Sequence, residues 1–225
     1  MGTSTLPSHA EAALKAAPDR RLDSQFVIAS RVGAQAQKSE TGMWVAVSAI
    51  SMSFAAFTSA MIVRQDASSD WQHFQLPHIL YFNTVLLLAS SVTLELTRQR
   101  IAGIPEAQRN GAGSMKALLA SGTYWMYVTA GLGFAFLLGQ ILAWRNLAAQ
   151  GLFLATNPSS SFFYVFTALH GVHLLGGIGG LIYVLRKLVR TNGSAENSGL
   201  GAFSIYWHFM DILWVYLLLL LAIRT

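Results

Sequence analysis

The sequence predicts an all-α integral membrane protein, a five-transmembrane-helix bundle with its N-terminus cytoplasmic and its C-terminus periplasmic. Three observations carry that prediction. Only 11% of the 225 residues are charged and 53% are hydrophobic, against roughly 25% charged in ordinary soluble domains. Five windows of about 20 apolar residues occur, each long enough to cross a hydrocarbon core of roughly 30 Å as helix. Between those windows Lys and Arg alternate in density, twelve on one side and three on the other. Positive charge marks the cytoplasmic side. The same placement accounts for a pI near 9.7 with no nucleic acid as partner.

Residues 1–40 differ in kind, being rich in Ala, Gln and Ser with scattered charges of both signs. They lack the apolar run and small-residue cleavage site of a signal peptide and read as a flexible or partly helical cytoplasmic tail. Residues 41–225 read as one membrane domain without internal repeat. Its first span, about 42–63, holds no charge between Thr41 and Val63. The second, about 77–97, opens at Pro77, suited to a first turn because its missing N–H has no helical partner there anyway. The loop 101–113, with three glycines and Pro105, is a linker. The third span, about 121–144, is bounded by Lys116 and Arg145. The fourth, about 160–185, begins after Asn157-Pro158-Ser159 and ends at Arg186-Lys187. The fifth is about 201–223. The chain has no cysteine, which excludes disulfides, thiolate metal sites and Fe–S clusters.

Ionisable residues inside a bilayer are costly, roughly 2.5–3.5 kcal/mol for a central Asp on insertion scales, so each needs compensation. The candidates are Glu95, near the end of span two, His170 and His173 in span four, and His208 and Asp211 in span five, with Asn83, Thr84 and Gln140 adding uncharged polarity. His73 and His78 fall near the outer surface. At a rise of about 1.5 Å per residue, Asp211 lies about 15 Å and His208 about 10 Å from the cytoplasmic start of span five, and His173 roughly 16–20 Å above the end of span four. Matched depth on antiparallel neighbours predicts a hydrogen bond or ion pair between His173 and Asp211. In HGVHLLGGIGG, Gly176 and Gly180 stand four apart, the small-xxx-small spacing of a helix-packing face.

Several chemistries fit these residues. His170 and His173 at i, i+3 resemble half a metal site, but one would need further converging ligands, and only Glu95 and Asp211 are available. A bis-histidine haem would need His170 or His173 facing His208. A proton relay through Asp211, in a channel or transporter acting alone, is a further reading. The preferred reading is an internal hydrogen-bonded polar core that fixes helix register, formed by His170, His173, His208 and Asp211 with Asn83 and Gln140 supporting, and with no catalytic, cofactor or metal role.

Four segments, in order, carry a family resemblance. YWHFMDILW (206–214) resembles the C-terminal helix of subunit III of haem–copper terminal oxidases, the cytochrome c and quinol oxidases. FYVFTALHGVHLLGG (163–177) is similar to that subunit's preceding helix, PHILYFNTVLLLASS (77–91) to its Pro…Asn-Thr…Ser-Ser helix, and TGMWVAVSAISMSFAAF (41–57) to its Gly-Met helix. The resemblance implies an accessory, non-catalytic subunit of a bacterial respiratory oxidase in the inner membrane. Haem and copper are then carried by partner subunits, and this chain packs against catalytic subunit I. It also implies bound phospholipid and a role in supporting lipid, oxygen and proton access. Three departures stand out. The family's buried Glu after Ser is Ala49 here, following Ser48; no acid follows Gln140 closely; and the Glu that usually precedes the Tyr-Trp-His-Phe motif falls near Gly201. These losses leave room for a divergent branch, such as an accessory subunit of a nitric oxide reductase.

Overall fold

The computed structural model describes residues 20–67, 71, 76–102, 112–190 and 198–224. They form five helices: α1 (Arg20–Ala67), α2 (Ile79–Ala102), α3 (Ala112–Ala149), α4 (Pro158–Arg190) and α5 (Ser198–Arg224). All five are long and apolar enough to cross a membrane, over Glu40–Ala67, Ile79–Arg100, Gly122–Ala149, Pro158–Lys187 and Gly199–Arg224. Each predicted span thus lies on its own helix. The stretch read as a flexible or partly helical tail is, from Arg20 onward, continuous with the first span in a helix of 48 residues. Residues 1–19 and the centre of the predicted linker, 103–111, lie outside the described residues.

Local chemistry sets the helix ends. α3 stops in a Schellman arrangement, in which the Leu152 N–H donates to the Leu147 carbonyl at 3.1 Å and the Gly151 N–H to Ala148 at 3.0 Å. This needs a left-handed residue one place past the helix, and Gly151 supplies it with φ +79°. Six residues on, Asn157 caps α4: its Oδ1 accepts the Ser160 N–H at 2.9 Å, and Pro158 follows at the first helical position, where its lack of an N–H costs nothing. The far end of α5 is met from outside, the Trp71 indole donating to the Arg224 carbonyl at 2.9 Å. That carbonyl belongs to a last turn that has no intrahelical donors left.

α5 touches α1, α2 and α4, while α3 joins α2 to α4. Trp207 and Trp214 of α5, Phe136 of α3, and Phe163 and Phe166 of α4 are wholly buried at the centre. Large apolar side chains on the outside, such as Met52, Leu138, Val172 and Ile212, stay exposed. In lipid the hydrophobic effect does not favour one helix over a hydrocarbon tail, so close packing and interhelical hydrogen bonds must hold the bundle together.

α2 shows how both are arranged. Leu80, Leu87 and Leu94 are buried to 1% exposure or less, and so are Asn83, Ser90 and Thr97. Both sets repeat every seven residues, the spacing that keeps one stripe facing its neighbours along two helices. A third set, Thr84, Ser91 and Arg98, repeats in step and turns toward α5.

Candidate functional site

That third set builds a polar seam along the α2–α5 interface. Thr84 Oγ1 accepts the Trp214 indole N–H at 3.0 Å. One heptad along, Ser91 Oγ lies 2.8 Å from His208 Nδ1 and donates to Asp211 Oδ2. One heptad further, Arg98 donates to Ser204 Oγ at 3.3 Å and to Glu95 Oε2 at 2.9 Å. Beside the seam, the Trp207 indole donates to Ser90 Oγ at 3.0 Å. The two helices run antiparallel, so ascending positions on α2 meet descending positions on α5.

Asp211 is 5% exposed, and its bond to Ser91 answers the desolvation cost of a buried carboxyl. Its other oxygen has no hydrogen-bond partner among the described residues. The pairing with His173 expected from depth does not form. His173 Nδ1 instead lies 2.8 Å from the carbonyl of Leu169 on its own helix, and its ring packs against Phe54 of α1, 5.9 Å between centroids. The two side chains leave their helices in different directions, Asp211 toward α2 and His173 toward α1.

His170 has a third environment. It is wholly buried between Phe136 and Trp214, with ring centroids at 5.7 and 5.1 Å, and neither ring nitrogen has a hydrogen-bond partner among the described residues. Phe136 and Trp214 meet edge to face at 4.8 Å. Asn83 and Gln140, on the adjoining faces of α2 and α3, are also buried with both amide atoms unpartnered among the described residues. Asn83 lies against Gly139, where an added Cβ would meet its amide. The expected polar core therefore divides in two: the hydrogen-bonded seam of Ser91, His208 and Asp211, and a set of polar groups (Asn83, Gln140, His170) packed among aromatic and apolar neighbours.

This division bears on the other chemistries. The i, i+3 histidines do not converge, and neither His170 nor His173 faces His208, so the opposed imidazoles of a bis-histidine haem are not assembled. No group of three or more His, Cys, Asp or Glu with metal-binding geometry occurs among the described residues. Glu95 is taken up by Arg98 and lies at the bundle's edge, both side chains being about 40% exposed. His78 is exposed at the start of α2, and His73 lies outside the described residues.

The packing glycines shift by one residue. A Cβ at Gly176 would meet nothing within 4 Å, and at Gly180 only ordinary contact with Phe203 at 3.5 Å. Gly177 is the tight position: a Cβ there would stand 3.0 Å from Tyr206 and 3.4 Å from Trp207. Gly133 of α3 faces the same indole, at 3.2 Å. Glycines of two helices thus make room for Trp207, the Trp of the Tyr-Trp-His-Phe motif. Successive helical residues point about 100° apart, which is why Gly176 leaves the interface that Gly177 enters. Ser91 and Gly177 were missed as key positions, although the seven-residue repeat of α2 was a signal that pointed to Ser91.

Comparison with known proteins bears on the same segments. The family model described as cytochrome c oxidase subunit III matches residues 43–224. A probable cytochrome c oxidase subunit 3 of Mycobacterium tuberculosis is 32% identical over 136 residues, 59% of this chain and 59% of its own length. The cytochrome c oxidase subunit 3 of Thermostichus vulcanus is 36% identical over 103 residues, 45% of this chain and 50% of its own. That of Corynebacterium diphtheriae is 28% identical over 144 residues, 64% and 63%. The matched segments therefore span less than two thirds of these relatives' lengths.

Proposed function

Because the chain belongs to the cytochrome c oxidase subunit III family, we propose that it is the accessory, non-catalytic subunit III of a bacterial haem–copper respiratory oxidase, seated beside the catalytic subunit I. In this reading oxygen reduction takes place on haem and copper held by partner subunits, and this chain supports the catalytic subunit and the access of lipid, oxygen and protons to it. The chain lies in the bacterial inner membrane with its N-terminus cytoplasmic and its C-terminus periplasmic, the orientation that the alternation of Lys and Arg favours.

One observation carries the proposal. The match over 43–224 takes in all five helices able to span a membrane, so the likeness covers the whole bundle and not a single motif. The division of the polar residues supports a structural role for His170, His173, His208, Asp211, Asn83 and Gln140. They make interhelical contacts or are enclosed by apolar groups. Exposed side chains on the lipid-side faces, such as Trp44, Met52 and Val63 of α1, offer apolar surface for phospholipid and for a neighbouring subunit.

The test is purification in mild detergent through a tag on this chain, with subunit identification and an optical spectrum. Co-purification with a larger haem-bearing subunit is the expected result. Recovery of the chain alone, or with a haem spectrum that persists after its separation from every partner, would overturn the reading.

A further inference from the structure

The seam between α2 and α5 contains an arrangement that a purely structural clamp would not require. Ser91 Oγ touches two titratable groups at once, His208 Nδ1 at 2.8 Å and Asp211 Oδ2. A hydroxyl has one hydrogen to donate, so the two contacts fix each other's polarity. When Asp211 is a carboxylate, Ser91 donates to it, and the Ser91 oxygen must accept the hydrogen from His208 Nδ1. The Nε2 position is then the free acceptor. When Asp211 is a carboxylic acid, both bonds reverse: Asp211 donates to Ser91, Ser91 donates to His208 Nδ1, and the imidazole carries its hydrogen on Nε2.

We propose that Ser91, His208 and Asp211 form a proton-exchange relay that loads a proton onto Asp211 from the Arg98 end of the bundle, the transferred species being a proton from water at that membrane surface. The step balances as follows. A hydronium ion from the surface water loses one proton, its O–H bond breaking to leave water, and that proton bonds to His208 Nε2. The Nδ1–H bond then breaks as its proton passes to Ser91 Oγ, and the original Ser91 O–H bond breaks as that proton passes to Asp211 Oδ2. Imidazole and hydroxyl end neutral, the carboxylate becomes a carboxylic acid, and unloading is the reverse.

The surroundings supply an entry and a terminus. Toward the surface, Ser204 lies one turn before His208 on α5 and accepts from Arg98. Arg98 also bonds Glu95 at 2.9 Å, and the two side chains are 42% and 40% exposed. His208 itself is only partly buried, whereas Asp211 is 5% exposed. Twelve residues separate Asp211 from Gly199, the start of the span, about 18 Å at the helical rise; the relay therefore ends near mid-membrane. Other charged or titratable groups at α5 are engaged elsewhere: Glu40 of α1 lies beside Gly201, Tyr206 donates to the His173 carbonyl, Tyr216 to Thr58 and Arg224 to Gln65, while His173 Nδ1 lies against the Leu169 carbonyl and His170 is enclosed by Phe136 and Trp214. Asp211 Oδ1, buried and unpartnered among the described residues, is the atom left for onward transfer.

The relay depends on this chain's own residues, so it can be judged separately from the oxidase assignment. The full-length protein, with whatever subunits co-purify, is placed in phosphatidylethanolamine–phosphatidylglycerol bilayers and followed by infrared difference spectroscopy after a pH jump. The carboxylic-acid carbonyl band that Asp211→Asn removes belongs to Asp211. The expected result is that this band appears and disappears reversibly with pH. Ser91→Ala should slow its appearance roughly 10²-fold, the low end for loss of a positioned proton-transfer group, and Ser91→Thr, which keeps the hydroxyl, should restore it. If Ser91→Ala does not fold, His208→Gln, which can hydrogen-bond but cannot take up a proton, is expected to slow the band equally. A band that never changes with pH, or that changes at the wild-type rate in Ser91→Ala or His208→Gln, would overturn the relay. Isolation of the chain without a haem-bearing partner would count against the oxidase reading and leave this result standing.

Discussion

Gly139→Ala should destabilise the protein when Asn83 is present and stabilise it when Asn83 is replaced by Ala. Gly139 is buried in α3 against the Asn83 side chain of α2, and an ideal Cβ there would stand 2.8 Å from Asn83 Cγ and 2.9 Å from Nδ2. Both approaches are shorter than real Cβ contacts allow. The amide has no room to move away, since Asn83 is wholly buried. Overpacking of this kind costs about 1–3 kcal/mol. Against it stands the gain of Ala over Gly inside a helix, about 0.8–1.0 kcal/mol, so the single change should cost on the order of 1 kcal/mol. In an Asn83→Ala background the collision is gone and the helix gain remains, so the same substitution should stabilise by about 0.5–1 kcal/mol. The coupling between the two sites should fall in the range of roughly 0.5–3 kcal/mol found for residues in contact. Reversible unfolding in mixed detergent–lipid micelles, followed by circular dichroism for all four members of the cycle, measures it. Equal effects of Gly139→Ala in both backgrounds would refute the close α2–α3 approach.

Leu at position 177 should lower the melting temperature of the detergent-solubilised protein far more than Leu at 176, because only the former meets Tyr206 and Trp207; equal shifts would contradict the assigned packing face. Trp207→Phe keeps most of the buried ring but loses the bond to Ser90, and should cost about 0.5–1.5 kcal/mol in the same unfolding assay, since Ser90 Oγ keeps its bond to the Leu87 carbonyl. Asn157→Ala removes the acceptor of the Ser160 N–H and should cost about 1 kcal/mol, with faster amide exchange confined to the first turn of α4.

Much of the architecture was legible without coordinates. Apolar runs separated by clusters of Lys and Arg marked all five helices, because the solvent around a membrane helix is read from composition alone. Asn157-Pro158 announced the start of α4, because capping is a matter between residues three apart in sequence. The Tyr-Trp-His-Phe and His-Gly-x-His motifs pointed to the family that the comparison over 43–224 shows. The first helix extends beyond its apolar span: the stretch read as a flexible or partly helical tail is helical from Arg20, and length and hydropathy measure what a membrane needs, not where a helix stops.

The partners of the polar residues were another matter. Depth along the membrane follows from counting residues, and it placed His173 and Asp211 at similar heights. Direction around the helix axis does not follow from counting, since each residue turns the side chain by about 100° and the rotation of each helix is set by everything packed against it. The order of residues alone therefore marked five apolar spans and the costly polar groups within them. Only the tertiary structure decided that Asp211 and His208 meet at Ser91 and not at His173, that Gly177 and not Gly176 admits Trp207, and that Asn83 fills the space a side chain at 139 would need. Those choices depend on the relative rotation of neighbouring helices, which close packing and interhelical hydrogen bonds settle only when all five are together.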